Sequence, residues 1–215
     1  MANFETITVE TDLLIIGGGM GACGAAVEAA YWAKKNNVKV TVVDKAAMDR
    51  SGAVAMGLSA LNQYVGVGAG DNTVEDYVRY VRQDLMGVTR EDLVFSIARH
   101  VDSTVHLFEK WGLPIWKDEN DKYVHEGRWQ VMINGESYKI LVAEAAKNAI
   151  GVDNIIERVF ITEPLMDGDR VAGAVGFSVR DEKFYVFKAK AVMVAAGGAV
   201  SVFRPRSVGE GLGRS

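Results

Sequence analysis

A run of glycines near the N-terminus has the spacing of a phosphate-binding turn. The segment Gly17–Ala22 (GGGMGA) fits G-x-G-x-x-A, a tolerated variant of the dinucleotide fingerprint. The missing side chains allow a tight turn and let backbone approach a pyrophosphate, and the following helix N-terminus favours negative charge. Asp44 lies where an acidic residue would hydrogen-bond a ribose hydroxyl. The combination predicts dinucleotide binding, and the alternative is a glycine turn without a ligand.

Two further segments of small residues favour FAD over NAD. Arg50–Asn62 (RSGAVAMGLSALN) would let backbone lie against a flavin ring. Ala195–Gly198 closes a late apolar strand and would return the chain to the same cofactor. Each segment alone could serve packing, but an NAD-binding domain needs neither. Together, and in this order, they point to FAD.

The elements around the glycine turn are those of a parallel sheet with a covering helix. Leu13–Ile16 is a continuous apolar run, typical of a strand buried on both faces. The Ala-rich stretch Ala22–Lys35 predicts a helix, and Val38–Val43 predicts a second strand that ends at Asp44. The turn therefore lies between a strand and a helix, as the fingerprint requires.

Residues 63–136 are predicted to form a helical insertion. Asn72 with Glu75 is a plausible capping pair for one helix, and Thr89 with Asp92 suggests a second cap. After the second cap, apolar residues recur at spacings of three and four, which predicts one amphipathic helix. These residues are Val94, Ile97, Val101, Val105 and Phe108.

The C-terminal third predicts one helix followed by strands. The helix is Ser137–Ala149, and the strands are Ile155–Ile161, Val171–Val179, Phe184–Phe187 and a buried run that begins at Ala191. Turn residues separate the first three strands. The predicted fold is a Rossmann-like α/β FAD-binding domain with a small antiparallel β patch and a helical insertion. Residues 1–215 are expected to form this one domain, incomplete at its C-terminus.

Composition limits the function classes and the compartment. The net charge of −4 gives no general reason to bind nucleic acid or an anionic membrane. The single cysteine, Cys23, cannot ligate an iron–sulfur cluster, and it fits a reducing cytosol. The N-terminus is acidic, unlike a signal peptide, and the longest uncharged run, Leu13–Val27, is shorter than the ~20 apolar residues of a membrane-spanning helix. We expect a cytoplasmic protein without membrane insertion.

The histidines and the C-terminal arginines are weaker candidates for metal-binding and anion-binding residues. The three histidines have no cysteine or carboxylate at a convincing ligand spacing, so no metal site is predicted. They are His100, His106 and His125. A basic spot near the C-terminus suits phosphate or sulfate, although surface arginines on a loop are the simpler interpretation. It consists of Arg204, Arg206 and Arg214.

Several strings resemble one flavoprotein family. The order of the glycine turn, the small-residue segment and the late glycine-closed strand is similar to the fumarate reductase and succinate dehydrogenase flavoprotein group. Within that group, four strings closely resemble the alpha subunits of dissimilatory adenylylsulfate reductases. They are Ser51–Ala60, Gly127–Gln130, Asn134–Lys139 and Phe203–Ser207. The resemblance covers essentially all 215 residues.

The resemblance implies an activity, a cofactor and a partner. That family uses FAD to interconvert adenylylsulfate with AMP and sulfite: reduced flavin attacks sulfur, AMP leaves, and the flavin–sulfite adduct releases sulfite. Electrons pass through an iron–sulfur beta subunit, in a heterodimer. In the dicarboxylate enzymes of the group, flavin is linked to a histidine after an Arg-Ser pair. Gly52 occupies that place here, which implies non-covalent FAD.

The resemblance also implies site residues. Asn62 would lie near the isoalloxazine and the substrate, or it could be a local cap or turn partner. Glu126 and Arg128 are the next candidates, and the alternative for them is that they are solvated loop charges. The active-site glutamate of the family is either Glu126 or Glu136. Ser207–Gly213 resembles a turn that begins a flavin-directed helix. The expected FAD contacts are Gly17, Gly19, Met20, Gly21, Asp44, Lys45, Ser51, Gly52, Ala53, Gly57, Leu58, Ser59, Phe160, Ala196, Gly197, Gly198 and Glu210.

Two other functions stay open at this point. One is a dicarboxylate flavoprotein similar to fumarate reductase or aspartate oxidase, and the other is a flavin-binding fragment without turnover. Members of the resembled family are much longer than 215 residues. The chain is therefore expected to be an N-terminal piece that is inactive on its own.

Overall fold

The structure is a computed structural model that describes residues 4–62, 72–199 and 203–204. The chain divides into two compact units: one is drawn from Met1–Met56 and Lys139–Ser215, and the other is Gly57–Tyr138. No described helix is both long and apolar enough to cross a membrane. The predicted limits of the insertion, and its place within a single domain, stay predictions.

Nine strands and five α-helices are formed by the described residues. The strands are β1 (Glu5–Ile16), β2 (Val40–Asp44), β3 (Ala60–Asn62), β4 (His125–Glu126), β5 (Gln130–Met132), β6 (Ile155–Glu157), β7 (Val159–Asp167), β8 (Arg170–Ser178) and β9 (Lys183–Val194). The helices are α1 (Met20–Asn36), α2 (Val74–Asp84), α3 (Glu91–Ala98), α4 (Val101–Lys110) and α5 (Tyr138–Ile150).

A six-stranded mixed sheet, in the order β6-β2-β1-β9-β8-β7, forms the first unit. The first four strands in this order are parallel neighbours, and β8 and β7 continue the sheet as an antiparallel ladder. Leu13 pairs with Val40 on one side and with Ala191 on the other, so β1, β2 and β9 end at the same sheet edge. The predicted α/β fold with a small antiparallel patch is confirmed.

The core of the first unit follows from its continuous apolar runs. Every residue of β2 is buried, as expected for a strand with neighbours on both sides and cover on both faces. Phe187 of β9 packs with Leu14 and Val43 in one buried cluster. Small inward residues let α1 approach the sheet closely, and they fix the helix start directly after the glycine turn. These residues are Ala22, Cys23, Ala26, Ala30 and Ala33.

The second unit combines three helices with a small antiparallel sheet of order β3-β5-β4. α2 begins at a capping box in which Asp76 N donates to Thr73 Oγ1 at 3.1 Å and Thr73 N donates to the Asp76 carboxylate at 3.0 Å. Phe108 of α4 packs edge-on against Tyr138, with ring centroids 5.2 Å apart. The buried apolar residues of this unit include Leu61, Val105, Phe108, Val131 and Ile133.

The helices of the second unit correct two predictions. The cap of α2 is Thr73 with Asp76 rather than Asn72 with Glu75. The single amphipathic helix is wrong, because α3 begins after Arg90 and stops at Ala98, and α4 begins after His100. The break lies at Arg99 and His100, and in the turn that follows it the Ser103 and Thr104 hydroxyls both donate to the His100 carbonyl, at 2.9 and 2.7 Å.

The strand predictions needed similar corrections. Ile155–Ile161 is not one strand, because Arg158 adopts the left-handed conformation (φ 64°) and separates β6 from β7. The predicted strand Phe184–Phe187 and the run from Ala191 are one strand, β9, whose partner β1 is equally long. The sheet of β3, β4 and β5 was not predicted, because strands of two or three residues carry no visible alternation.

Candidate functional site

The carboxyl ends of three parallel strands meet where the sequence predicted a cofactor. Gly17 follows β1, and its N–H donates to Val43 O of β2 at 2.8 Å. Ala195 follows β9, and its N–H donates to Ile16 O at 2.8 Å. Asp44 ends β2 beside them. In open α/β sheets, ligands bind in the crevice outside such strand ends.

The glycine turn is packed too closely for side chains at its first two positions. Gly17 has φ 112°, and a Cβ on it would overlap the Ala195 carbonyl oxygen. A Cβ on Gly18 would lie 2.5 Å from Asp44 Oδ2. Gly19 is the N-cap of α1, makes no side-chain cap and is followed by no acidic residue in the first turn. This helix start therefore has backbone N–H groups suited to an anion such as a pyrophosphate.

Asp44 is the buried acid of the site. Only 5% of the residue is exposed, and its Oδ2 atom has no hydrogen-bond partner among the described residues. A buried carboxylate oxygen without a donor is costly, which is a reason for a ligand hydroxyl to occupy that place. The orphaned oxygen and the side-chain-free turn beside it together fit the ribose and pyrophosphate of a dinucleotide.

Substitution of Asp44 by alanine should separate cofactor affinity from stability. We expect the Kd for FAD to rise at least tenfold, since a hydrogen bond to a charged group contributes about 1.5–3 kcal/mol. The apoprotein should melt no lower than wild type, because the change removes a buried carboxylate whose Oδ2 has no hydrogen-bond partner among the described residues. Flavin-fluorescence titration and thermal melts measure both effects, with Asp153→Ala on an exposed turn as the control. An unchanged Kd would remove Asp44 from the site.

A second backbone segment lies against the glycine turn. Gly52 has φ 83°, and a Cβ on it would lie 3.0 Å from Gly19 Cα, so the two backbones are in contact. Ser51 beside it is buried. Position 52 therefore requires glycine both by conformation and by space. No side chain capable of linking covalently to a flavin fits at this position.

One residue at this site was missed by the sequence analysis. Lys139 of α5 is only 2% exposed, and its ammonium donates to the Met48 carbonyl oxygen. The same Nζ lies 3.6 Å from Cys23 Sγ in the first turns of α1. Burial raises the pKa of the Cys23 thiol above its ordinary value of 9.0, and the Lys139 charge opposes that rise. The sequence does contain a signal for this burial: Lys139 lies on the apolar face of its helix, together with Val142, Ala143 and Ala146.

The other predicted FAD contacts of the first unit lie on neighbouring elements. Met20 and Gly21 form the first turn of α1, and Gly21 has open space where a Cβ would be. Lys45 Nζ lies 5.7 Å from the centroid of the Phe160 ring on β7. Ala53 begins a short 3-10 turn. Ala196, Gly197 and Gly198 follow β9 without regular structure, and Glu210 lies outside the described residues.

The remaining predicted contacts belong to the second unit. Gly57, Leu58 and Ser59 precede β3 there. Ser59 O accepts a hydrogen bond from Ile133 N at 3.0 Å. The Leu58 backbone lies so close to Gly135 that a Cβ on that glycine would overlap the Leu58 carbonyl oxygen. These contacts anchor the segment within its own unit.

The small sheet of the second unit aligns two of the three predicted catalytic residues, Asn62 and Glu126. Its register places Asn62 opposite Gln130, and Gln130 opposite Glu126, in one cross-strand row. Gln130 was not predicted as a site residue. Its position between Asn62 and Glu126 follows only from the strand register, which depends on how the strands pair. Glu136 lies outside this row, after β5, where its backbone N donates to Asn134 Oδ1 at 3.3 Å.

Arg128 lies in the turn between β4 and β5 and is held from three sides. Its guanidinium donates to Asn72 Oδ1, lies 3.6 Å from an Asp76 carboxylate oxygen, and stands over the Trp129 ring at 4.8 Å. Trp129 stacks on Tyr80 of α2, with centroids 5.1 Å apart. More than half of the Arg128 side chain is still exposed, so it presents a fixed positive charge.

The histidines have structural contacts. His106 Nδ1 lies 3.3 Å from the Tyr123 hydroxyl, which donates to Glu109 at 2.6 Å. His100 is the N-cap residue of α4 and makes no side-chain cap hydrogen bond, and His125 lies in β4. No group of three metal-binding side chains occurs among the residues that the structure describes. In the basic spot, Arg204 is exposed, whereas Arg206 and Arg214 lie outside the described part.

A comparison with protein families identifies the glycine-turn unit. The model of the "FAD binding domain" family matches residues 12–210. The chain belongs to the FAD binding domain family. The glycine turn, Asp44 and Gly52, which together we call the cradle, all lie within the matched residues.

Individual relatives of this FAD binding domain are close. The adenylylsulfate reductase alpha subunit of Megalodesulfovibrio gigas is 56% identical over 98% of this chain and 35% of its own length. The solved adenylylsulfate reductase of Archaeoglobus fulgidus is 65% identical, with a TM-score of 0.88, over 99% of this chain and 34% of that chain. The 8-methylmenaquinol:fumarate reductase flavoprotein subunit of Wolinella succinogenes is 27% identical over 91% of this chain and 32% of its own length. The chain spans about a third of the length of these relatives.

Proposed function

We propose that this chain is the FAD-binding part of an adenylylsulfate reductase alpha subunit. The enzyme would interconvert adenylylsulfate with AMP and sulfite in dissimilatory sulfur metabolism. The observation that carries the proposal is the 65% identity to the Archaeoglobus fulgidus enzyme over nearly the whole chain. The fumarate reductase subunit is far less similar, at 27% identity, so the dicarboxylate alternative has much less support.

The first unit would bind the cofactor through backbone and one carboxylate. The N–H groups at the start of α1 would hold the pyrophosphate, and Asp44 would accept a hydrogen bond from a ribose hydroxyl. Bound FAD supplies the two-electron chemistry at sulfur. Because Gly52 leaves no room for a linking side chain, we propose that FAD is bound non-covalently.

The second unit would contribute residues that act on the substrate. We propose Asn62, Glu126 and Arg128, as the family resemblance implies. Glu126 is favoured over Glu136 because it shares a cross-strand row with Asn62. Arg128 would offer its guanidinium to a sulfate or phosphate group, because its charge is already positioned by Asp76 and Trp129.

The electrons would come from a separate subunit. These 215 residues contain one cysteine, whereas an iron–sulfur cluster requires several, so this part of the alpha chain would hold no cluster of its own. We propose an iron–sulfur beta subunit that forms a heterodimer with the full-length alpha chain in the cytoplasm. Copurification of a small cysteine-rich protein with the full-length chain would support this assignment.

The activity can be tested on the purified full-length protein. Acid precipitation should release FAD into the supernatant, and AMP with sulfite should reduce ferricyanide while adenylylsulfate forms. The control reaction is the reduction of fumarate by a reduced viologen, and it should proceed only at the background rate. Flavin that stays with the precipitate would contradict non-covalent binding. Fumarate turnover without adenylylsulfate formation would favour the dicarboxylate enzyme instead.

A further inference from the structure

A buried lysine ammonium beside the FAD cradle requires an explanation. Lys139 is 2% exposed, and burial of a charge is costly unless hydrogen bonds compensate it. Its partners are the Met48 carbonyl oxygen and the Cys23 thiol, both themselves buried. The ammonium therefore joins α5 to two elements of the cradle: the turn at Met48 and the first turns of α1.

The hydrogen bond to Met48 fixes the short turn that precedes Gly52. Met48 is held at both of its backbone groups, because its N–H donates to Glu157 Oε1 at 2.8 Å and its carbonyl accepts from Lys139. The same carbonyl also accepts from Ser51 N at 3.4 Å. Two charged side chains, from β6 and α5, thus determine where the chain emerges at Ser51 and Gly52.

The two sides of the cradle contact different residues of the glycine turn. Asp44, the ribose ligand, approaches the turn at Gly18, whereas Gly52 approaches it at Gly19. A shift of the Met48–Gly52 segment would therefore leave the Asp44 side unchanged. The shift would instead move Ser51 and Gly52. We call these two residues the Ser51–Gly52 wall, and we expect this wall to face the flavin.

We propose that Lys139 is a positioning residue for the flavin half of FAD, acting through the Met48 carbonyl on the Ser51–Gly52 wall. The proposal rests on the proposed binding of FAD. It predicts that loss of the ammonium weakens FAD much more than ADP, which has the phosphates and ribose but no flavin. A general loss of structure, or a purely electrostatic effect on phosphate, would weaken both ligands alike.

The test is a pair of titrations on the deflavinated full-length protein. Lys139→Met keeps the side-chain length and removes the charge, and Lys147→Met, about two turns later on the same helix, is the matched control. We expect the Kd for FAD to rise at least tenfold in Lys139→Met, while the Kd for ADP stays within about twofold. The visible circular dichroism of bound flavin should also change, because that signal reports the flavin's surroundings.

Each result has one meaning. If wild type binds no FAD, the proposed function fails; if wild type binds FAD and Lys139→Met equals it, only the positioning role fails. Equal losses of FAD and ADP in a protein with a wild-type melting curve would also overturn the role. If Lys139→Met does not fold, Glu157→Met removes the acceptor oxygen and releases the same turn at the Met48 N–H. That variant must show the same flavin-selective loss, and an unchanged FAD-to-ADP ratio would overturn the proposal.

Discussion

Replacement of Gly19 by valine is expected to abolish FAD retention in a protein that still folds. Gly19 has an extended backbone (φ −73°, ψ −171°), which valine adopts readily, and a Cβ there would lie 3.6 Å from Gly52 Cα. The branched side chain would instead crowd the start of α1, where the pyrophosphate must approach. Flavin-to-protein ratio after purification measures the loss.

Gly24→Val is the matched control for this experiment. Gly24 lies on the same helix, and no atom lies within 4 Å of the position that its Cβ would take. This variant should keep wild-type flavin content. Full flavin occupancy in a folded Gly19→Val protein would show that the phosphates bind elsewhere.

Substitution of Gly135 by alanine should destabilise the second unit. Gly135 is buried, and the new Cβ would overlap the Leu58 carbonyl oxygen and lie 2.6 Å from Leu58 N. Because both clashing atoms are backbone, the segment before β3 must move, and such overpacking costs about 1–3 kcal/mol or more. We expect the melting temperature to fall by several degrees and residues 57–138 to become sensitive to protease.

The same substitution on an open helical glycine provides the comparison. Gly24→Ala adds a methyl group where nothing is within contact distance, and alanine favours a helix by about 0.5–1 kcal/mol over glycine. It should melt at or above the wild-type temperature. A Gly135→Ala protein with wild-type melting and protease resistance would mean that the Leu58 segment adapts without cost.

The sequence predicted the strand, the glycine turn and the helix of the first unit well because their signals are local. A strand, a glycine turn and a helix follow one another between Leu13 and Lys35, and α1 was predicted to within two residues at either end. The position of Asp44 could be predicted as well, because it ends the next strand of the same unit. Each of these signals needs only neighbouring residues, so no knowledge of the tertiary contacts was required.

The features that were missed depend on distant contacts or on competition between local ones. Nothing in the local pattern shows that Lys139 is buried against Met48, because that contact joins residues far apart in the chain. Only the strand register shows that Gln130 lies opposite Asn62. The break at Arg99 and His100 could not be predicted from the apolar periodicity, because the apolar spacing continues across it.

The long parallel pairing of β1 with β9 also determines when this sheet can form during synthesis. Glu5 pairs with Lys183 and Ile16 with Val194, so the centre of the sheet joins the earliest described residues to nearly the latest. A ribosome that adds about 5–20 residues per second delays that partner by on the order of ten seconds or more. During this interval β1 and β2 have no β9 beside them, and the intervening residues 57–138 are already synthesised. Closure of the central sheet therefore waits until β9 is synthesised, and β1 and β2 are open to aggregation during this interval.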